Sequence, residues 1–224
     1  MDKKDNHQSL KQYCASQGLD LFGVAELAPV KHEMLFPPEE LAKFDKAVSL
    51  GVRLQQSVFE ELKVEPNRLY SHHYKTANTF LDNATFIVAH HIQEKGFRAL
   101  PIPASQILDW EKQTAHCSHK KVGYLAGLGW IGRNNLLVNE RLGAQFRLST
   151  ILTDMPLSVD EPVTSGCGEC RLCIEVCPAQ AIKEDPRDFG HRTCFEKLKE
   201  FSKKRLVEQY ICGVCANVCR GKVR

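Results

Sequence analysis

No stretch of the sequence stays apolar for the roughly 18 residues that a membrane-spanning helix needs, so no transmembrane segment is expected. The opening MDKKDNHQSLKQYC has neither the apolar core of a signal peptide nor a twin arginine, which makes the cytoplasm the expected location. The chain ahead of Cys167 holds no internal repeat, and no segment is of low complexity. Charge of one sign is scarce as well. Thirty Lys/Arg stand against 27 Asp/Glu, a net +3 over 224 residues, too little to argue for nucleic acid by itself. Cysteine is nearly missing ahead of Cys167, where only Cys14 and Cys117 occur. A secreted disulfide scaffold would spread its cysteines through a short, loop-rich chain, so that class is excluded.

What is present is a dense block of eight cysteines between Cys167 and Cys219. The first run is Cys167-x2-Cys170-x2-Cys173-x3-Cys177-Pro178, the bacterial ferredoxin spacing for 4Fe–4S clusters. Three closely spaced thiolates on a turning backbone reach one cube. The fourth, before the proline, points to a second cube, so a second set is required. It consists of Cys194 and then Cys212-x2-Cys215-x3-Cys219, its first member displaced upstream by the insertion 195–211. The crossover rule assigns Cys167, Cys170, Cys173 and Cys219 to one cluster and Cys177, Cys194, Cys212 and Cys215 to the other. Arg220, not Pro, follows Cys219, but the proline shapes the turn and is no ligand. The alternative is two zinc sites of four cysteines each, which equal two-residue spacing fits poorly.

Charge is uneven along the chain. Residues 186–224 carry ten Lys/Arg and four Asp/Glu, a local +6. Two oxidised clusters with four thiolates each bring about −4, so the basic tail balances the clusters and leaves little need for an anionic partner.

The part ahead of the cysteine block reads as alternating helices and strands, hence an α/β or α+β sandwich. Helices are expected at Ser9–Gln17, at FPPEE, at Ala77–Lys95 with an apolar stripe of Leu81, Ala84, Val88 and Ile92, and in a linking segment ahead of Gly127. Strands are expected at Leu21–Glu26, Lys46–Leu54, Phe97–Pro103 and Ala144–Thr153. The aperiodic DMPLSVDEPVTSG marks the boundary, giving domains 1–160 and 161–224.

Between the sandwich and the cysteines lies GLGWIGRNNLL, Gly127–Leu137. Bare glycines allow close approach of a ligand or of another part of the chain. The loop lacks the Lys-Ser/Thr of a phosphate loop. It matches G-x-G-x-x-G, but the preceding HKKVGYLA is a poor strand, so the dinucleotide reading fails.

The stretch AGLGWIGRNNLLVNERLGAQFRLSTILTDMPL, followed by CGECRLCIEVCPAQAI, resembles the epoxyqueuosine reductase family and its relatives, the cobalamin-dependent reductive dehalogenases. The resemblance runs from about Leu21 to Cys219. It implies a nitroreductase-like α/β sandwich followed by a ferredoxin-like module with two clusters. Electrons would pass from an external ferredoxin or flavodoxin through the clusters to the cobalt of base-off cobalamin. It also implies that Gly127, Gly129, Trp130, Ile131, Gly132, Asn134 and Asn135 pack against the corrin or its tail. The His-on corrinoid motif is absent. FMN in the sandwich is the alternative cofactor.

Departures from the family qualify the reaction. RALPIPASQ (Arg98–Gln106) contains no carboxylate where the epoxyqueuosine reductases keep an acidic proton donor, and Asp109 is the nearest. A tyrosine–histidine pair before the long helix is matched by SHHYK, which makes Tyr74 the candidate catalytic residue. The sequence ends five residues after Cys219, without the helical region that grips tRNA, so tRNA is not the expected substrate. The alternative function is electron transfer or corrinoid reduction and handling, with a corrinoid protein as partner.

Overall fold

A computed structural model describes residues 2–221. In chain order the elements are α1 (Lys3–Ser16), β1 (Leu21–Glu26), α2 (Pro38–Leu41), β2 (Lys46–Arg53), α3 (Gln56–Phe59), α4 (Arg68–Glu94), β3 (Ala99–Ile102), α5 (His119–Leu125), β4 (Trp130–Ile131), β5 (Leu137–Val138), β6 (Phe146–Thr153), α6 (Leu172–Glu175), α7 (His191–Lys203) and α8 (Val214–Val218), with 3-10 turns at Lys31–Glu33 and Pro186–Asp188.

The chain divides into two compact units. The first comprises residues 1–52, 78–128 and 147–163, and the second comprises 53–77, 129–146 and 164–224. The last crossing, between Val163 and Thr164, falls inside the aperiodic stretch. Two earlier segments also join the second unit, and sequence order offers no reason to separate them. The front of the aperiodic stretch is no loose linker, because Met155 and Leu157 are fully buried.

The first unit is built on a four-stranded sheet of order β1-β2-β6-β3. Strands β1 and β2 pair antiparallel, with Val24 opposite Val48. Strands β3 and β6 pair likewise, with Leu100 opposite Leu152. Alternation along the strands sends Val48, Leu50 and Ile151 into one core with Leu10 of α1 and Leu81, Ala84, Val88 and Ile92 of α4. It sends Ala47 and Leu152 into another with Leu41 of α2 and Val122 of α5. Helices therefore cover both faces, and the mixed α/β reading of this part holds. The four-residue apolar stripe expected on α4 is buried to 3% exposure or less at every position.

Helix boundaries required correction. Helix α1 starts at Lys3, six residues before the expected start, with Asp2 as its N-cap. Helix α4 starts at Arg68, nine residues early, so SHHYK lies within the helix and not before it. The linking helix expected ahead of Gly127 is α5, which begins only at His119. Gly18 and Gly96, just past the ends of α1 and α4, adopt φ of 81° and 87°.

The second unit has little regular structure. Besides the first part of α4 (68–77), its helices are short except for α7, which carries Cys194 and residues 195–203 of the 195–211 insertion. Its only sheet among the described residues is the hairpin β4–β5, with Trp130 opposite Val138. Of the basic tail, residues 222–224 lie outside the described residues.

Candidate metal centre

Cys14 and Cys117 are set apart by their surroundings. Both are buried in the apolar cores of the first unit. Burial pushes their thiols up to about 12 and about 11. Both pack among apolar side chains, as buried free cysteines commonly do.

The other eight cysteines influence one another in two foursomes. Burial, then the like-charged neighbours Cys219, Cys167 and Cys170, push the Cys173 thiol up to about 11. Cys219 is likewise raised to about 11 by burial, with Cys167 and Cys170 among its neighbours. In the second foursome, burial and Cys177 raise Cys194 to about 11. Burial, Cys194 and Cys177 raise Cys212 to about 12. Cys215 is raised well above its ordinary value by burial, then by Cys212, Cys194 and Cys177. Its smallest contribution comes from Cys173 of the other foursome, as two adjacent seats require. Cys219 thus sits with the first run, and Cys177 sits with the second.

Local structure explains this grouping. Cys170 lies just ahead of the single turn α6, Cys173 lies within it, and Cys177 lies just past its end. Cys215 is on α8, and Cys219 is its C-cap. Gly143 (φ 60°) brings the 139–146 segment onto Cys219. A Cβ there would stand 1.9 Å from the Cys219 carbonyl oxygen, and Ala144 N–H donates to that oxygen at 3.2 Å. Gln145 Nε2 donates to the carbonyls of Ala216 at 3.3 Å and Asn217 at 2.9 Å, fixing α8.

A cavity of about 1090 Å³ is lined by Cys167, Cys170, Cys173 and Cys219 together with Trp130, Arg133 and Asn134. A cavity lined by four thiols, with a buried amide at its wall, fits an iron–sulfur cube. Among the described residues no three His, Cys, Asp or Glu side chains converge tightly enough for a single ion. A tetrahedral zinc with Zn–S of about 2.3 Å would demand sulfur atoms only about 3.8 Å apart.

The glycine loop lies beside this cavity. Trp130 is 5% exposed, and its indole N–H donates to Cys167 Sγ at 3.5 Å. Space for a Cβ is filled by the chain itself at each glycine. It would meet Glu161 O at 2.7 Å at Gly127 and Val138 O at 2.0 Å at Gly129. At Gly132 it would meet Val138 Cγ2 at 2.7 Å and Cys167 Sγ at 3.5 Å. Asn134 Oδ1 accepts from Leu136 N–H, and Asn135 turns the hairpin at φ 58°. Ile131 is half-buried on β4. The bare backbone is taken up by close approach of the chain to itself. The segment ahead of it is helix α5, which removes the dinucleotide fingerprint.

Tyr74 is half-buried on α4, with its ring 6.2 Å from that of Tyr70. The neighbouring His73 accepts a hydrogen bond from Gln55 N–H through Nε2, and burial lowers its pKa. Asp109 is tied into a turn, accepting from the N–H groups of Glu111 and Lys112, which hold its carboxyl below the usual range. Sequence reasoning missed Arg133. Its guanidinium donates to the carbonyls of Glu184, Cys170 and Gly168 at 2.9, 3.1 and 3.0 Å. The single charged residue of the glycine-rich loop was the available signal.

Comparison with known proteins follows this division. Residues 166–221 match the family described as the 4Fe-4S double cluster binding domain. Among curated proteins, the chain is similar to the epoxyqueuosine reductases. It is 37% identical over 106 residues to that of Escherichia coli (strain K12), 42% of this chain and 27% of the relative. It is 48% identical over 103 residues to that of Aliivibrio fischeri, 42% and 28% respectively. The matched stretches thus span about a third or less of these relatives. Fold likeness extends further. The epoxyqueuosine reductase of Streptococcus thermophilus superposes with a TM-score of 0.67 at 20% identity, covering 96% of this chain and 65% of that one. The catabolic reductive dehalogenase NpRdhA gives 0.68 at 23% identity, covering 82% and 26%. Among the described residues no helix is long and apolar enough to cross a membrane.

Proposed function

We propose that this chain is an iron–sulfur reductase of the epoxyqueuosine reductase and reductive dehalogenase kind. An external ferredoxin- or flavodoxin-type donor supplies single electrons. Two 4Fe–4S clusters relay them, one on Cys167, Cys170, Cys173 and Cys219, the other on Cys177, Cys194, Cys212 and Cys215. Base-off cobalamin in a nitroreductase-like sandwich receives them. The observation that carries this reading is the double-cluster domain in a chain whose fold matches both kinds of reductase. One reductive dehalogenase structure is described as suggesting a mechanism for B12-dependent dehalogenation.

When bound, cobalamin would supply a redox-active metal centre able to accept electrons. Its assignment to Gly127, Gly129, Trp130, Ile131, Gly132, Asn134 and Asn135 rests on resemblance alone, since the packing of these residues is accounted for within the chain. Tyr74 is the candidate proton donor.

A second reading is favoured by one observation. Residues 99–102 form the edge strand β3, Arg98–Gln106 holds no carboxylate, and the Asp109 carboxylate caps its own turn. A general acid contributes about a hundredfold or more to such a reaction. Without one, the chain passes electrons to a corrinoid or a corrinoid protein and has no organic substrate, and tRNA is not its target.

Anaerobic purification with corrinoid and flavin extraction tests the cofactor. The expected product is a corrinoid whose Co(II) form shows no nitrogen superhyperfine splitting in its electron paramagnetic resonance spectrum. Extraction of FMN in place of a corrinoid would move the chain to the flavin alternative. Restoration of queuosine in cells lacking their own epoxyqueuosine reductase would overturn the exclusion of tRNA.

A further inference from the structure

We infer that the hairpin loop 130–134 is the electrostatic half of the seat of the first cluster, with Trp130, Arg133 and Asn134 positioning that cluster and raising its reduction potential. The inference rests on the double-cluster reading and adds residues that the cysteine spacing does not reveal.

Three donors converge on one side of the cavity that Cys167, Cys170, Cys173 and Cys219 line. Trp130 Nε1–H points at Cys167 Sγ, 3.5 Å away. Asn134 lines the same cavity, and among the described residues its Nδ2 is buried with no acceptor. A cube in the cavity would bring sulfide acceptors to that wall. The side chain of Arg133 is 15% exposed. It grips the loop that carries Cys167 and Cys170 by the carbonyls of Gly168 and Cys170, and anchors it to the Glu184 carbonyl. Glu184 partly offsets its charge at 3.6 Å and also pairs with Arg171 at 2.6 Å.

Reduction adds one negative charge to a cube and makes its sulfurs stronger acceptors. Donors and a fixed cation therefore favour the reduced form, the lever by which hydrogen bonds to sulfur set cluster potentials. Gly132 keeps the hairpin closed, because a Cβ there would stand 2.7 Å from Val138 Cγ2 and 2.9 Å from Asn134 Oδ1.

The test is a reductive titration of the reconstituted full-length protein, followed by electron paramagnetic resonance, for wild type, Trp130→Phe, Asn134→Leu and Arg133→Lys. Trp130→Phe keeps the aromatic area and removes only the N–H. It should make one of the two clusters up to about tenfold harder to reduce, about 59 mV for a one-electron couple, and leave the other where it was. Asn134→Leu should shift the same cluster in the same direction. Arg133→Lys keeps the charge but cannot span three carbonyls, so it should broaden and weaken that cluster's signal. Two fully loaded clusters with both steps unmoved in Trp130→Phe and Asn134→Leu would overturn the inference alone. Wild-type protein that takes up no iron and sulfide would overturn the double-cluster reading beneath it.

Discussion

Cys14 and Cys212 have thiols raised to the same value, about 12, in opposite surroundings. Cys14 is fully buried among Leu10, Val24, Val88 and their neighbours, and desolvation alone lifts it. Cys212 is lifted by burial and also by Cys194 and Cys177. In the first unit sulfur is one more apolar atom in a packed core, and the core is complete without it being charged. In the second unit, neighbouring thiols would repel one another as soon as they ionised. Cations held among them would remove that cost, so binding free energy there would also be folding free energy. The first unit is held by its own side chains, and the second is completed by what its cysteines hold.

Four substitutions probe that contrast, from the largest expected effect to the smallest. Cys177→Ser should remove one cluster, about half of the iron, and the signal lost should be that of the foursome with Cys194, Cys212 and Cys215. Loss of its sequence neighbours' cluster would break the crossed assignment. Leu81→Ala leaves a hole in the first core. It should cost about 2–5 kcal/mol in chemical denaturation while iron content stays constant. His119 should give the first unit a pH dependence. Its ring bonds to Thr150 Oγ1 at 2.8 Å and the Pro103 carbonyl at 2.9 Å, and burial pushes its pKa down from 6.5 to about 4. The folded state then binds fewer protons than the unfolded state between those values. Stability is full above about pH 6.5 and falls as the pH drops toward about 4. A shift of that size is worth at most about 3 kcal/mol, and His119→Gln should flatten that slope in denaturation curves. Cys14→Ala should cost only about 1 kcal/mol and no iron. A loss of iron would show that the two classes of cysteine are not separate.

The same division explains what could be read in advance. Residues 21–26 were legible to the residue as β1, and the Leu81–Ile92 stripe was legible because burial against a sheet imposes a period on the sequence. The starts of α1 and α4 were not. The residues added there, such as Asp5, Arg68 and His72, are mostly polar and carry no stripe. The cysteine spacing was legible because thiolate geometry dictates it. The hairpin β4–β5 escaped, since two-residue strands are too short to alternate. Arg133 escaped because its partners, the carbonyls of Gly168, Cys170 and Glu184, are backbone groups 35 to 51 residues away, and no local pattern encodes them.

The central claim is that eight cysteines in two crossed foursomes hold two 4Fe–4S clusters. Iron and acid-labile sulfide per chain, measured after anaerobic reconstitution, test it most directly. The account predicts about eight of each. Two zinc ions per chain with no labile sulfide would contradict it.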